Sequence, residues 1–230
     1  MPPAARQTSQ PGKPALQARS ALTLERILSA AEELLVDREF DQLSVAEIAS
    51  KAGGAVGTVY GRVADNEDLL FCLHERYTMR AAERVAETFG GLGDAGLEAR
   101  VEALCHLMVG LIHDHRGIGR AMTNRLYTSP AHTPSESMSA FRKDATSMFR
   151  SAAAFLAERM PGGANAENQA ACEFALLAAQ DVTQSRIVYG SRSGLALKYS
   201  QQELKARTTE LVLRYLTAPI QAKDLESSDA

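Results

Sequence analysis

The sequence predicts an all-α protein, a small N-terminal helical unit followed by a larger helical bundle, about nine helices in all. Three observations carry that prediction. Apolar residues recur with the 3.6-residue period of helices buried on one side. Hydroxyl-x-x-carboxylate start signals recur along the chain, each able to close a capping box. Alternating runs long enough for a strand are absent. With 45% hydrophobic and 23% charged residues, 16 Gly and 8 Pro, the composition excludes collagen-like and low-complexity chains. A length of 230 residues suits one average domain and a smaller one.

The elements follow in order. Residues 1–19 are too poor in apolar groups to offset the entropy of ordering, and they hold Arg6, Lys13 and Arg19 without an acid; a disordered basic arm is expected. Leu24, Ile27, Leu28, Ala31, Leu34 and Leu35 fall on one face of a first helix over 20–38. Ser44 and Glu47 open a second over 44–51, and Gly53 ends it. A third, short helix covers 55–61. Asp65 and Asp68 open a long fourth over 65–89, which Gly90 and Gly91 should stop.

Helices over 95–115 and 117–127 come next. Thr133, Pro134 and Glu136 start one over 134–160 that Pro161, Gly162 and Gly163 end. The last two cover 165–190 and 200–217; Ser200 and Glu203 cap the second and Pro219 stops it. Between them, Gly190-Ser191-Arg192-Ser193-Gly194 has an arginine at its centre and no preceding strand, so it reads as an inter-helix loop and not a nucleophile elbow. Residues 218–230, with Asp224, Glu226 and Asp229 against Lys223, are expected to form a disordered tail.

The net charge of -3, from 25 basic and 28 acidic side chains, gives no bulk attraction for a polyanion, so any nucleic-acid site must be local. Cys72, Cys105 and Cys172 are odd in number and far apart, which fits neither a disulfide framework nor a metal knuckle and suits a reducing cytoplasm. No stretch has the length of a signal peptide's apolar core or of a membrane span. Phosphate-binding loops and paired glycosidase-like carboxylates are absent, so no cofactor and no enzymatic activity are expected.

The informative segment is the turn between the second and third helices. Val45, Ile48, Ala49, Gly53 and Val59 have the spacing of a helix-turn-helix. Ala49 is small where the helices cross, Gly53 can take the left-handed conformation, and Val45, Ile48 and Val59 fill the wedge. Residues 23–70 contain Thr-Leu-Glu-Arg-Ile-Leu-Ser-Ala-Ala-Glu-Glu-Leu-Leu, Ser-Val-Ala-Glu-Ile-Ala-x-Lys-Ala-Gly, Gly-Thr-Val-Tyr and Asn-Glu-Asp-Leu-Leu. In that order these resemble the DNA-binding region of the TetR family of bacterial transcriptional regulators; residues 71–230 resemble the family only in helix count and spacing.

The resemblance implies an all-helical homodimer, usually a repressor that a small molecule releases from a double-stranded DNA operator. The expected domains are a helix-turn-helix DNA-binding domain over 20–64 and a ligand-binding and dimerisation bundle over 65–217. Carried over by position, Thr58 and Tyr60 contact phosphates and the groove wall, and Gly57 lets the backbone approach. Ser44 adds a phosphate contact to its capping role, Arg62 reaches phosphate or a base edge, and Ala55, Val56 and Gly61 complete the DNA-facing set.

The chain departs from the family's usual Gly-Val-Ser-Lys-Gly-Thr-Leu-Tyr at Ala55 and Val56, and again at Gly61 and Val63. Alanine in place of a serine cap should cost about 1 kcal/mol of local helix stability. The missing lysine should flatten the salt dependence of binding by roughly one unit of slope. Residues 1–63 hold seven bases (Arg6, Lys13, Arg19, Arg26, Arg38, Lys51, Arg62) and seven acids (Glu25, Glu32, Glu33, Asp37, Glu39, Asp41, Glu47), a neutral head. Val56 and Gly61 favour apolar contact, as with a thymine methyl, over bidentate hydrogen bonds. A second reading follows from the same departures: a ligand-binding helical dimer with a weakened or partner-dependent DNA-binding head.

In the bundle, Leu104, Met108, Leu111, Met122, Phe141, Met148, Phe149 and Phe174 are the expected walls of an effector cavity. Ala171, Ala175, Ala178 and Val182, with Leu204, Leu211 and Tyr215, are the expected dimer interface, which the resemblance places on the last two long helices. His106, His113, Asp114 and His115 read as residues near a helix end, with no metal. Cys105 and His106 are neighbours on a helix and point about 100° apart, so they form no nucleophile–base pair.

Overall fold

A computed structural model describes residues 13–128, 136–190 and 198–218, and nine α-helices with no strand lie among them. The chain divides into two compact units, Met1–Leu73 and His74–Ala230. The first holds α1 (Lys13–Leu35), a 3-10 turn (Phe40–Gln42), α2 (Val45–Lys51), α3 (Val56–Tyr60) and the first turns of α4 (Asn66–Leu92). Its core is the expected face of α1, with Ile27, Leu28, Ala31 and Leu35 buried, together with Leu43, Ile48, Ala49, Val59 and Val63.

Several boundaries differ from expectation: α1 ends at Leu35 rather than at 38 and α7 at Ala157 rather than at 160, and three further differences follow. Helix α1 begins at Lys13, so residues 13–19, expected in a disordered arm, are helical. Pro14 sits in the first turn, where its missing N–H leaves no helical bond unmade, and the Ala-Leu-Gln-Ala run that follows is strongly helix-forming. Helix α4 runs through Gly90 and Gly91 to Leu92; the positive φ of 41° comes only at Gly93. The two units part at Leu73–His74, inside α4, rather than at 64–65, because Leu69, Leu70 and Leu73 are buried with the first unit. Residues 1–12, the start signal at Thr133 and Pro134, the 191–194 loop and the tail beyond Ala218 lie outside the described residues.

The second unit contains the remainder of α4, then α5 (Leu97–Asp114), α6 (Arg116–Thr128), α7 (Glu136–Ala157), α8 (Ala166–Tyr189) and α9 (Gln201–Thr217). Helix α5 packs on α9, α8 and α7, while α8 also packs on α7, α9 and α6. Val101, Leu104 and Cys105 of α5 meet Ala153, Leu156 and Ala157 of α7, Cys172, Ala175, Leu176 and Ala179 of α8, and Val212 and Leu216 of α9 in one core. The small residues of α7 and α8 let their backbones come close. Both cysteine thiols lie in this core, and burial pushes each up to about 11. Neither is a thiolate nucleophile near neutrality.

One charged residue is built into this core. Arg100 is 2% exposed. Its Nε donates to the Ala95 carbonyl at 3.1 Å, its Nη2 to the Gly93 carbonyl at 2.7 Å, and its Nη1 to the Phe155 carbonyl and to Glu158 Oε2, the last at 2.9 Å. The guanidinium also lies 3.8 Å over the Phe155 ring, which stacks on Phe89 at 4.2 Å between centroids. One side chain thus satisfies the carbonyls of the α4–α5 turn and pins that turn to the end of α7.

Arg100→Met should destabilise the second unit by on the order of 3–5 kcal/mol, because it strands buried carbonyls as well as breaking the ion pair. Glu158→Gln should cost less than about 1 kcal/mol, since that carboxylate is 56% exposed. Urea unfolding of both variants against the parent checks the contrast; equal losses would contradict it.

Candidate nucleic-acid interface

The α2–turn–α3 segment is assembled by caps at one end and a glycine turn in the middle. At the start of α2, the Ser44 backbone N–H and hydroxyl both donate to Glu47 Oε2, at 3.0 and 2.7 Å, and the hydroxyl accepts the Glu47 N–H at 3.2 Å. Arg38 Nη1 donates to the other Glu47 oxygen at 2.8 Å. Arg38, then Ser44, hold the Glu47 carboxyl down at about 2. The capping box expected from sequence is therefore present and extended by a cation.

Helix α2 ends in a left-handed residue. Gly53 has φ of 68°, a conformation that costs other residue types about 1–2 kcal/mol. The turn closes when the Gly54 N–H donates to the Ala49 carbonyl at 2.9 Å. Ile48, Ala49 and Val59 are then buried at 1–2% exposure, which fixes α3 against α2.

With Val59 inward, Val56 and Tyr60 are exposed at 41% and 55%, one turn apart. Gly57 and Gly61 fall on the adjoining row of the same surface. A Cβ on Gly57 would meet nothing within 4 Å. Val56, Gly57, Tyr60 and Gly61 thus share one outward face. Thr58 sits on its flank, half-buried, with its Cβ 3.8 Å from where a Cβ on Gly54 would lie. Ala55 occupies the N-cap position of α3 and makes no side-chain cap.

The cations divide into two groups. Arg38 is paired with Glu47, and Lys51 Nζ lies 2.8 Å from Glu33. Arg19, Arg26 and Arg62 make no ion pair among the described residues, and Arg62 Nη1 donates to its neighbour's carbonyl, Gly61 O, at 2.9 Å. The Ser44 hydroxyl, expected to reach a phosphate, is engaged as both donor and acceptor within the capping box, beside an ionised carboxylate.

The expected cavity residues are not brought together. Leu104 belongs to the core, with Met108 and Phe149 packed against it; Leu111 and Met122 are buried, and Met148 is half-buried. Phe174 is 58% exposed and lies 5.3 Å from Tyr215 between ring centroids, so it lines no interior wall. The Phe141 side chain is outside the described residues. An open groove of about 690 Å³ is lined by Lys143, Thr146, Ser147, Arg150, Ser151, Ala154 and Gln169, none of them on the expected list.

The expected dimer residues split by face. Ala175 and Leu204 are buried within the chain, alongside Ala179, Val212 and Leu216, and do not reach the surface. Val182 and Leu211 are exposed, at 47% and 44%, and Ala171, Ala178 and Tyr215 are half-buried. Leu177, which the sequence reading did not single out, is 48% exposed, and Phe174, expected in a cavity wall, is exposed beside it on the same helix. Little signal for this is legible in sequence, because α8 mixes apolar and polar residues round its circumference, Glu173, Gln180 and Asp181 among them.

Helix α5 does span both His106 and His113, but His113 pairs with Asp114 at 3.3 Å and the His115 ring packs on Tyr77 at 4.9 Å. Among the described residues, no three His, Cys, Asp or Glu side chains converge as metal ligands, and no helix is long and apolar enough to cross a membrane.

The Glu47 pairing predicts an acid limb for the first unit. A carboxyl held at about 2 against an ordinary 4.5 contributes stability that is present above 4.5 and lost as pH falls through about 2. Acid titration followed by circular dichroism should show Glu47→Gln less stable than the parent at pH 6, with the difference closing towards pH 2. A pH-independent difference would contradict the assignment.

Residues 27–71 match the sequence model described as bacterial regulatory proteins, tetR family. No curated protein matches the chain in sequence. Solved structures share the fold: a tetR-family regulator from Mesorhizobium loti (TM-score 0.66, 16% identity) covers 86% of this chain and 96% of its own. A TetR-like regulator from Rhodococcus sp. RHA1 (0.59, 17%) covers 86% and 98%. FadR from Bacillus subtilis in complex with stearoyl-CoA (0.60, 15%) covers 85% and 99%. Residues 27–71 are thus similar to the family of bacterial regulatory proteins, tetR family, and the chain shares the fold of the solved tetR-family regulators along most of its length.

Proposed function

We propose that this protein is a sequence-specific DNA-binding transcriptional regulator, a repressor released from its operator by a small molecule. The single observation that carries the reading is the helix-turn-helix at Ser44–Tyr60, matched by the family model and presenting Val56 and Tyr60 to solvent. A surface held open on a rigid turn is what a major-groove reader requires. The family match favours this over a ligand-binding dimer with a weakened head.

An exposed apolar surface on the bundle supports the reading. Phe174, Leu177 and Val182 of α8 and Leu211 of α9 leave an apolar surface on a helix already packed on its other side, and a second copy of the chain is its proposed cover. Two heads related by a two-fold axis would then address a pseudo-palindromic operator.

Helix α4 contributes residues to both units, so it is the covalent route from bundle to head. An effector that binds one arrangement of the bundle more tightly than another changes operator affinity by that differential alone. The FadR neighbour, solved with stearoyl-CoA, supports a small-molecule effector. Within the head, Tyr60 and Thr58 supply hydroxyl donors for phosphate, and Arg62, free of a carboxylate, exchanges its carbonyl partner for one.

Replacing Thr58, Tyr60 and Arg62 together by alanine should abolish sequence-specific binding in a mobility-shift assay, while sedimentation shows the same oligomer as the parent. Unchanged specific affinity would contradict the assignment.

A further inference from the structure

The outward face of α3 has a shape as well as a polarity. Val56 and Tyr60 stand one turn apart at 41% and 55% exposure, and the adjoining row, Gly57 and Gly61, has no side chains. Two projecting side chains beside two positions that carry none leave a notch in this face. Nothing in the protein fills it at Gly57, where a Cβ would meet no atom within 4 Å.

This face also lacks the side chains that read bases by bidentate hydrogen bonds: α3 contains no Arg, Lys, Asn, Gln, Asp or Glu. Its hydroxyls are those of Tyr60, at the outer edge, and Thr58, on the flank against Gly54. The feature of the major groove that matches an apolar notch is the thymine C5-methyl, which distinguishes T·A from C·G without any hydrogen bond.

Resting on the DNA-binding reading above, we propose that the recognition helix reads thymine. The C5-methyl of one thymine per half-site enters the notch between Val56 and Tyr60, over the backbone of Gly57 and Gly61. Specificity at that base pair is apolar contact and fit. Gly57 is a specificity determinant because the notch needs its bare Cα, and any side chain there fills the space the methyl occupies.

The test uses the full-length protein and a duplex obtained by selection from random DNA, with each thymine replaced in turn by deoxyuridine, which removes the methyl and nothing else. Burying one methyl supports about a 4-fold loss in one half-site and ~14-fold when both lose it. Gly57→Ala should keep or raise thermal stability, since alanine favours the helix and meets open space. It should bind the thymine duplex at least about 10-fold more weakly, with thymine-to-uracil discrimination falling to within about 2-fold.

The proposal is overturned if every uracil substitution stays within 2-fold while 7-deazapurines, which lose a major-groove acceptor, cost 10-fold or more. It is equally overturned if Gly57→Ala keeps full discrimination. Failure of selection to enrich any sequence would defeat the DNA-binding reading itself and this proposal with it, whereas an enriched site indifferent to uracil defeats this proposal alone.

Discussion

What the first unit presents to its surroundings depends on how the chain turns between α2 and α3. Gly53 takes a left-handed conformation, and the Ile48–Ala49–Val59 wedge closes beneath it. With that wedge closed, a helix of only five residues, too short to be stable alone, is held by burial of a single valine and by its connection on either side. The price of an uncapped start at Ala55 is met by this tertiary contact, and the same contact decides which residues point outward. Small size at Ala49 and left-handed φ at Gly53 are therefore constraints on function exercised through packing.

The second unit rests on a different kind of constraint. Its core is apolar and built from small residues at the α7–α8 crossing, which gives close packing but little to fix the α4–α5 turn. Arg100 supplies that: three carbonyls, one carboxylate and an aromatic face are satisfied by one buried cation. Such a residue is costly to desolvate and more costly to remove, so it specifies one arrangement of the turn. Helix α4 leads into this anchored turn, which gives the covalent route between bundle and head a defined end.

Elements were legible where a local signal decided them. The Ser44–Glu47 and Ser200–Glu203 boxes, the α1 face and the nine helices follow from period and caps that need no tertiary information. The start of α1 is not legible in composition, since residues 13–19 are poor in apolar groups yet rich in helix formers. Arg100 was invisible because a charged residue in an amphipathic helix is ordinarily solvated, and its partners lie 5 to 58 positions away.

The site was legible in parts. The resemblance named Val56, Gly57, Tyr60 and Gly61 among the DNA-facing residues, but it could not show Thr58 turned against Gly54 or the Ser44 hydroxyl engaged on both sides. In the bundle, apolar identity alone does not separate core from cavity wall or outer face: Leu104 is core and Phe174 is surface, although both are apolar residues on long helices.

Selection of bound sequences from random double-stranded DNA by the full-length protein, near 100 mM salt, tests the central claim most directly. The account predicts an inverted repeat whose half-sites lie about one helical turn, or a multiple of it, apart, as a two-fold dimer of helix-turn-helix heads demands. No enrichment from protein shown to be folded and dimeric would contradict it.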